Sequence, residues 1–232
     1  SSAASDVYKR QNMRYAVPGF AGWFTRTREI HDERATLFRA VRSIRDPSGL
    51  TVCEPGCGSG FWTEILVSGA KQVHAFDRSP RMIRAARRRL SARGAENAIL
   101  ARADLRSIPL PADSVDLVIS AWVLPPFVYS CTESNWPQDI RTAVGEMRRI
   151  CRAGGSIIML TPSWRGPREY QRILRNDFGF GEKIIRCRWH FRSTSEAKNS
   201  MRLWFGYPAW NRWQYLWRDG VLVESSIWHL NL

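Results

Sequence analysis

Residues 52–66 read VCEPGCGSGFWTEIL, and this stretch gives the strongest indication of the fold. An apolar run is followed by Glu54, by glycines at positions 56, 58 and 60, and then by a helical apolar pattern. Because glycine has no side chain, other groups can approach the backbone closely at these positions. The stretch alone leaves three ligands open: a pyrophosphate, a metal ion held by Cys53 and Cys57, or a different molecule.

The spacing of the glycines separates these ligands. A phosphate-binding P-loop continues with Gly-Lys-Ser/Thr, whereas Phe61 and Trp62 follow Gly60 here, so the P-loop is excluded. A dinucleotide-binding loop has the spacing G-x-G-x-x-G, but this chain has G-x-G-x-G with Glu54 two residues before the first glycine. A carboxylate at that point is unfavourable beside a pyrophosphate and favourable beside a cationic or amine-bearing ligand.

The cysteines do not form a recognisable metal-binding set. Cys53 and Cys57 lie on either side of the turn, and no other Cys or His pair completes the four ligands of a zinc site. We expect Cys53 to pack into the sheet and Cys57 into the loop, with no metal bound. The five cysteines are scattered and odd in number, which favours reduced thiols and a cytoplasmic location.

Strand-like and helix-like segments alternate along the middle of the chain. Strands are predicted at Leu50–Cys53, Gln72–Phe76, Ala98–Ala103, Val115–Ala121 and Ser156–Leu160, and helices at Trp62–Val67, after Ser79-Pro80 and over Asn135–Arg152. Such alternation implies right-handed crossovers between parallel strands. The predicted fold class is therefore α/β, with a doubly wound, mostly parallel, Rossmann-like sheet. Two further strands in a C-terminal hairpin, considered next, bring the predicted sheet to seven strands.

The two ends of the chain differ from this pattern. Residues 1–11 resemble a translated sequencing-adapter string of metagenome-derived chains, and we leave them out of the fold interpretation. Residues 12–46 are predicted to form an N-terminal helical cap ahead of a main domain at 47–232. Near the C-terminus, β-rich runs on both sides of Asp219-Gly220 predict an antiparallel hairpin. In that hairpin, Trp213, Tyr215 and Trp217 would share one face and pack in the core.

The chain is strongly basic. Its 232 residues include 31 Arg and 4 Lys against 21 acidic residues, which gives a formal net charge of +14. An excess of positive charge favours an acidic partner such as nucleic acid, an anionic membrane surface or an anionic substrate, although a solvated basic surface is the simpler explanation. No apolar run reaches about 18 residues, so no membrane-spanning segment is predicted.

Residues 50–161 resemble the class I S-adenosylmethionine-dependent methyltransferases. The stretch E-P-G-C-G-S-G at 54–60 is similar to motif I of that family, an acid followed by x-G-x-G-x-G, and R-A-G-G at 152–155 is similar to its R/K-P-G-G turn. The resemblance implies that Asp77 binds the ribose hydroxyls, that Asp104 and Leu105 lie at the adenine, and that Ser120 faces the cofactor. The cofactor-binding set implied is Glu54, Gly56, Cys57, Gly58, Gly60, Asp77, Arg78, Met82, Asp104, Leu105 and Ser120.

The acceptor of the methyl group is less clear from the sequence. Leu124-Pro-Pro-Phe127 lacks the polar residue that nucleic-acid amino-methyltransferases place directly after strand four, and its position is similar to an acceptor loop of the ubiquinone-biosynthesis branch. A small-molecule acceptor is therefore the first hypothesis. An RNA, tRNA or protein acceptor and a non-catalytic cofactor-binding role remain alternatives. His31 and Tyr15 are candidates for a general base, and Trp23 and Trp122 for the pocket lining.

Overall fold

The computed structural model describes residues 33–124, 135–163, 168–189, 191, 193–197 and 221–232. The helices are α1 (Glu33–Ile44), α2 (Phe61–Leu66), α3 (Pro80–Ser91), α4 (Trp136–Ile150) and α5 (Arg168–Arg172), and α5 continues into a π-helical turn at Ile173–Asp177. The strands are β1 (Thr51–Pro55), β2 (Gln72–Asp77), β3 (Ala98–Arg102), β4 (Val115–Ala121), β5 (Cys151–Pro162), β6 (Gly181–Trp189) and β7 (Val221–Asn231).

These strands form one seven-stranded sheet in the order β3-β2-β1-β4-β5-β7-β6. The five strands from β3 to β5 are mutually parallel, and β7 runs antiparallel to both β5 and β6. The order changes direction at β1 and β4, which is where open α/β sheets place their ligands, at the carboxyl ends of the strands. The predicted doubly wound, mostly parallel sheet and its antiparallel C-terminal strand are confirmed.

Helices cover both faces of the sheet. On one face Leu37 and Val41 of α1 and Leu66 of α2 are buried with Val52 and Leu117. On the other face α4 and the π-helical turn close a second cluster, which contains Val118, Ile140, Val144, Met147 and Ile173. The sheet is thus buried on both sides, as parallel sheets are.

Helix α3 forms as its sequence predicts. Ser79 caps it, because the Ser79 hydroxyl accepts a hydrogen bond from the Met82 amide at 3.4 Å, and Pro80 occupies the first turn. Its buried face consists of Met82, Ile83, Ala86 and Leu90. None of the described helices has the length and apolarity needed to cross a bilayer.

Helix α4 is shorter than predicted. The sequence pattern extends the helix to Arg152, whereas α4 ends at Ile150 and Cys151 is already extended and paired with Val115 in the sheet. Residues 152–155 then fall in a register shift, after which Ser156 pairs with Leu117. Pairing with β4 therefore outweighs the helical apolar spacing of Cys151.

Only the second half of the predicted C-terminal hairpin lies among the described residues. Strand β7 contains that half, and its neighbours are β5 and β6. Trp213, Tyr215 and Trp217 lie outside the described residues.

Gly154 and Gly155 lie in the register shift between β4 and β5, and substituting each of them by Ala tests how the two strands pair there. A Cβ at Gly155 would lie 2.8 and 2.9 Å from the carbonyl oxygens of Arg152 and Asp116, whereas a Cβ at Gly154 would meet nothing within 4 Å. Gly154 has a φ of 75°, so Gly154→Ala should cost about 1–2 kcal/mol of unfolding free energy from backbone strain alone. We expect Gly155→Ala to cost more, because the β4–β5 backbone must shift. Urea unfolding measures both costs, and a smaller loss for Gly155→Ala contradicts the register described here.

Candidate functional site

The glycine-rich loop connects β1 to α2 at the carboxyl end of the sheet. Gly56, Gly58 and Gly60 all have positive φ values, of 83°, 55° and 81°. A Cβ at Gly56 would lie 2.2 Å from the Val123 side chain, and one at Gly60 would lie 3.0 Å from the Ala86 side chain. Gly56 and Gly60 are therefore required by the turn and by close packing within the chain itself.

The amides of this loop are already used within the protein. Gly56 and Cys57 both donate to the carbonyl of Phe76, at 2.7 and 2.9 Å, and Gly60 donates to the carbonyl of Cys57 at 3.0 Å. The Gly58 amide donates to a carboxylate oxygen of Asp77 at 3.0 Å. A phosphate-binding loop needs such amides free to point at the anion, so this loop is not built to hold a phosphate.

Asp77 ends β2 and faces the loop. One of its carboxylate oxygens accepts from Gly58 and the other from the Ser79 amide at 2.8 Å. These bonds use two of the roughly four lone-pair positions of a carboxylate, which leaves one on each oxygen for a pair of hydroxyl donors. Partial burial raises the pKa of Asp77, and the two amide hydrogen bonds oppose that rise.

Glu54 is the buried acid of the site. Its side chain is 2% exposed, and one carboxylate oxygen accepts from the hydroxyl of Thr63 in α2 at 2.5 Å. Among the described residues no Arg or Lys forms an ion pair with it. Burial raises the pKa of Glu54 to about 8, although the Thr63 hydrogen bond opposes the rise. A buried carboxyl without a cationic partner is suited to a cationic group from a ligand.

Asp104 follows β3 and is held by Arg106. The Arg106 guanidinium donates to both oxygens of Asp104, at 3.0 and 2.8 Å, and the Arg106 amide donates to one of them at 2.9 Å. Arg106 also bonds Asp139 in the first turn of α4 at 3.0 Å. The hydrogen bonds from Arg106 lower the pKa of Asp104, so its carboxylate stays ionised and fixed in orientation. One further acceptor position on this carboxylate is left for an N–H donor.

The other predicted binding residues differ in how far they are exposed to solvent. The Ser120 hydroxyl is buried and donates to the carbonyl of Pro55 at 3.2 Å, which ties the ends of β1 and β4 together. The side chains of Met82 and Leu105 are buried, whereas Arg78 is exposed. Cys57 and Cys53 are buried in the clusters on opposite faces of the sheet. Burial raises the pKa of both thiols, as expected for cysteines that pack.

The turn after β4 brings a further residue to the loop. Trp122 has a φ of 64°, rare for an aromatic residue, and its amide donates to the carbonyl of Leu160 at 2.8 Å. This turn places Val123 against Gly56.

Three residues that contact the predicted site residues were not themselves predicted from the sequence: Thr63 contacts Glu54, Val123 lies against Gly56, and Arg106 holds Asp104. Only Arg106 carried a signal, since it follows Asp104 by two residues in ADLRS. Tyr15, Trp23, His31 and most of the Leu124-Pro-Pro-Phe127 segment lie outside the described residues.

The raised pKa of Glu54 predicts a specific dependence of stability on pH. The folded protein binds this proton more tightly than the unfolded chain, whose carboxyl has a pKa near 4.5. Proton binding therefore stabilises the fold fully below about pH 4.5, and this contribution is lost as the pH rises to about 8. We expect the melting temperature of the wild type to fall by at least about 4 °C more than that of Glu54→Gln between pH 5 and pH 8.5.

Thr63→Val is the matched control for this measurement. The variant lacks the hydroxyl that favours the ionised carboxyl, so its loss of stability with rising pH should be steeper than that of the wild type. Parallel melting curves for the wild type and Glu54→Gln across this range would show that Glu54 does not titrate in the way described.

Comparison with known proteins agrees with this geometry. Residues 53–159 match the family described as a methyltransferase domain. Malonyl-acyl-carrier protein O-methyltransferase from Serratia marcescens is 28% identical over 160 residues, 69% of this chain and 56% of that protein. U6 snRNA (guanine-N(2))-methyltransferase from Bos taurus is 32% identical over 164 residues, 67% of this chain and 30% of that protein. The chain thus spans about half the length, or less, of such relatives.

A solved structure of an S-adenosylmethionine-dependent methyltransferase from Aquifex aeolicus has the same fold. It superposes with a TM-score of 0.55 at 15% identity and covers 87% of this chain and 95% of that one. The matched family segment begins in β1 and ends in β5, so it contains the glycine-rich loop, Asp77 and Asp104. Residues 53–159 thus form a methyltransferase domain, and the fold is that of S-adenosylmethionine-dependent methyltransferases.

Proposed function

We propose that this protein transfers a methyl group from S-adenosylmethionine to a small-molecule acceptor. The observation that carries the proposal is the pairing of two acids, Glu54 and Asp77, with a loop whose amides are bonded within the chain. Such a site repels phosphates and attracts a ligand that has a cationic group and vicinal hydroxyls. S-adenosylmethionine has an amino group, a sulfonium and a ribose, and it fits these requirements.

Each acid has a distinct part in this proposal. The carboxylate of Asp77 accepts from the ribose hydroxyls with the lone pairs that Gly58 and Ser79 leave open. The buried carboxyl of Glu54 loses its proton when the cationic end of the cofactor binds. Asp104 accepts from the adenine amino group, beside Leu105, and Arg106 is a positioning residue that fixes this carboxylate. The backbone of Gly56, Cys57, Gly58 and Gly60 forms the floor, with Arg78, Met82 and Ser120 around it.

The chemistry that the cofactor supplies is a methyl group on a sulfonium, which an acceptor takes up by in-line displacement. The protein then has to align the acceptor and exclude water. A general base is required only when the acceptor is a poor nucleophile such as a hydroxyl. His31 and Tyr15 keep their place as candidates for that role.

The named substrates of similar proteins support a small molecule as the methyl acceptor. The likeness to a malonyl-acyl-carrier protein O-methyltransferase supports a small acyl or related acceptor. RNA is the second candidate, because one relative at 32% identity is a U6 snRNA methyltransferase and this chain carries a net charge of +14.

The test is transfer of radiolabel from methyl-labelled S-adenosylmethionine into fractionated bacterial extract. We expect label in the solvent-extractable fraction, either directly or after neutral hydroxylamine cleaves acyl-carrier thioesters. Label that nuclease releases, or that stays on protein after hydroxylamine, would contradict a small acceptor. Asp77→Ala should bind S-adenosylhomocysteine at least about tenfold more weakly in calorimetry, because the ribose hydroxyls lose their acceptor. Asp113→Ala, which changes an acid remote from the loop, is the control and should bind as the wild type does. Equal affinity for Asp77→Ala would exclude the ribose assignment.

A further inference from the structure

Half of the excess positive charge of the chain lies in one short segment. Residues 78–102, which contain α3 and β3, carry eight Arg, no Lys and one acidic residue, Glu96. The net charge of this segment is +7, against +14 for the whole chain. Among the described strands β3 lies at the edge of the sheet and pairs only with β2, so the segment lies at one end of the described sheet.

Four of these arginines form what we call the α3 face: Arg84, Arg87 and Arg88 on the helix and Arg102 on β3. All four side chains are exposed. Arg87 donates to the carbonyl of Leu100 and Arg102 to that of Arg78, which holds both guanidinium groups against the edge of the sheet. In the part of the chain that the structure describes, no carboxylate forms an ion pair with any of the four.

Many arginines elsewhere in the described part of the chain form ion pairs with acids, although the exposed Arg39 and Arg148 do not. Arg42 pairs with Asp46, Arg172 with Glu169 and Arg186 with Glu224. Further pairs bind Arg106, Arg141, Arg149, Arg152 and Arg175 to acids. Even within the segment, Arg89 and Arg93 both pair with Glu64. The ion pairs of the described residues thus involve other arginines, and none of them neutralises the α3 face.

The chemistry of the face selects among anionic partners. A membrane-binding helix inserts an apolar side, but the apolar side of α3 is buried in the protein core. A protein interface needs apolar or aromatic anchors at its centre, whereas the exposed residues of α3 are Pro80, three arginines and Ser91, and β3 adds a single exposed large apolar side chain, Ile99. Recognition of a nucleic-acid backbone needs only cationic groups that reach phosphates, and guanidinium groups bind phosphate in a bidentate manner.

The helical spacing fits a row of phosphates. Arg84 is separated from Arg87 and Arg88 by three and four positions, which places the three side chains on neighbouring turns with their Cβ atoms about 5–6 Å apart. Helix α3 also begins beside Asp77, so the face extends away from the cofactor site along one side of the molecule.

We propose that the α3 face is a docking surface for the phosphate backbone of RNA. Arg84, Arg87 and Arg88 bind successive phosphates, and Arg102 extends the contact onto β3. The proposal stands apart from the identity of the methyl acceptor, since a backbone-binding surface can also hold the enzyme near RNA without methylating it.

The test compares two triple variants that remove the same charge. Arg84→Gln/Arg87→Gln/Arg88→Gln changes the face, and Arg42→Gln/Arg172→Gln/Arg186→Gln removes three exposed but paired arginines. Binding of a fluorescein-labelled RNA hairpin is followed by anisotropy over a range of KCl concentrations. Each lost phosphate contact reduces the magnitude of the slope of log K against log salt by about 1. The magnitude should therefore be smaller by about 2–3 for the variant of the α3 face than for the wild type. The control should lose less than about 1 from this magnitude.

Three outcomes overturn the proposal. Equal slopes for the two triple variants would show that net charge alone governs binding. Competition by poly-glutamate as effective as unlabelled RNA of equal charge would indicate an acidic protein partner. Binding of duplex DNA at least about tenfold tighter than that of RNA would reject RNA as the partner. Single substitutions of Arg84, Arg87 and Arg88 by Gln are measured as well, in case the triple variant folds poorly. If none of these single variants changes the salt slope, the proposal is likewise rejected. S-adenosylhomocysteine affinity checks that each variant is folded, and it should not change.

Discussion

The site depends on the two hydrogen bonds that the carboxylate of Asp77 accepts from the backbone. This carboxylate lies at the end of β2 and accepts from the Gly58 amide in one direction and from the Ser79 amide in the other. The preceding residue, Phe76, accepts from the amides of Gly56 and Cys57. The last two residues of β2 therefore fix the glycine-rich loop after β1 and the start of α3 at once. Breaking these bonds would leave loop amides without partners, and the site would lose its shape.

This arrangement gives a different reason for the glycines at positions 56 and 60. The sequence invites the interpretation that glycine makes room for a ligand, but at Gly56 and Gly60 the nearest groups are the side chains of Val123 and Ala86. The loop is compact because the protein packs against it. Two acids lie beside the loop: Asp77 is partly buried, and Glu54 is buried beside Thr63. A net charge of +14 on the chain thus coexists with two acids beside the glycine-rich loop, and half of the excess positive charge lies in residues 78–102.

Much of the fold could be predicted from local patterns, because strand and helix signals alternate clearly and each ends in a turn residue. The cap of α3 at Ser79 and its buried face followed from the sequence directly. The end of α4 did not, because the pairing of Cys151 with Val115 is a contact between distant parts of the chain. For the same reason Thr63 and Val123 carried no signal: their importance comes from Glu54 and Gly56, which the fold brings to them. Glu54 and Asp77 were identifiable because they stand at strand ends within a recognisable motif.

The most direct test of the account is a crystal structure of the protein with S-adenosylhomocysteine. If Asp77 holds the ribose, both ribose hydroxyls contact its carboxylate while Gly58 and Ser79 keep their hydrogen bonds to it. The amino group of the ligand should lie on the Glu54 side of the loop. A complex in which the ribose contacts other residues, or in which the loop amides turn away from Phe76 and Asp77 to bind the ligand, would contradict it.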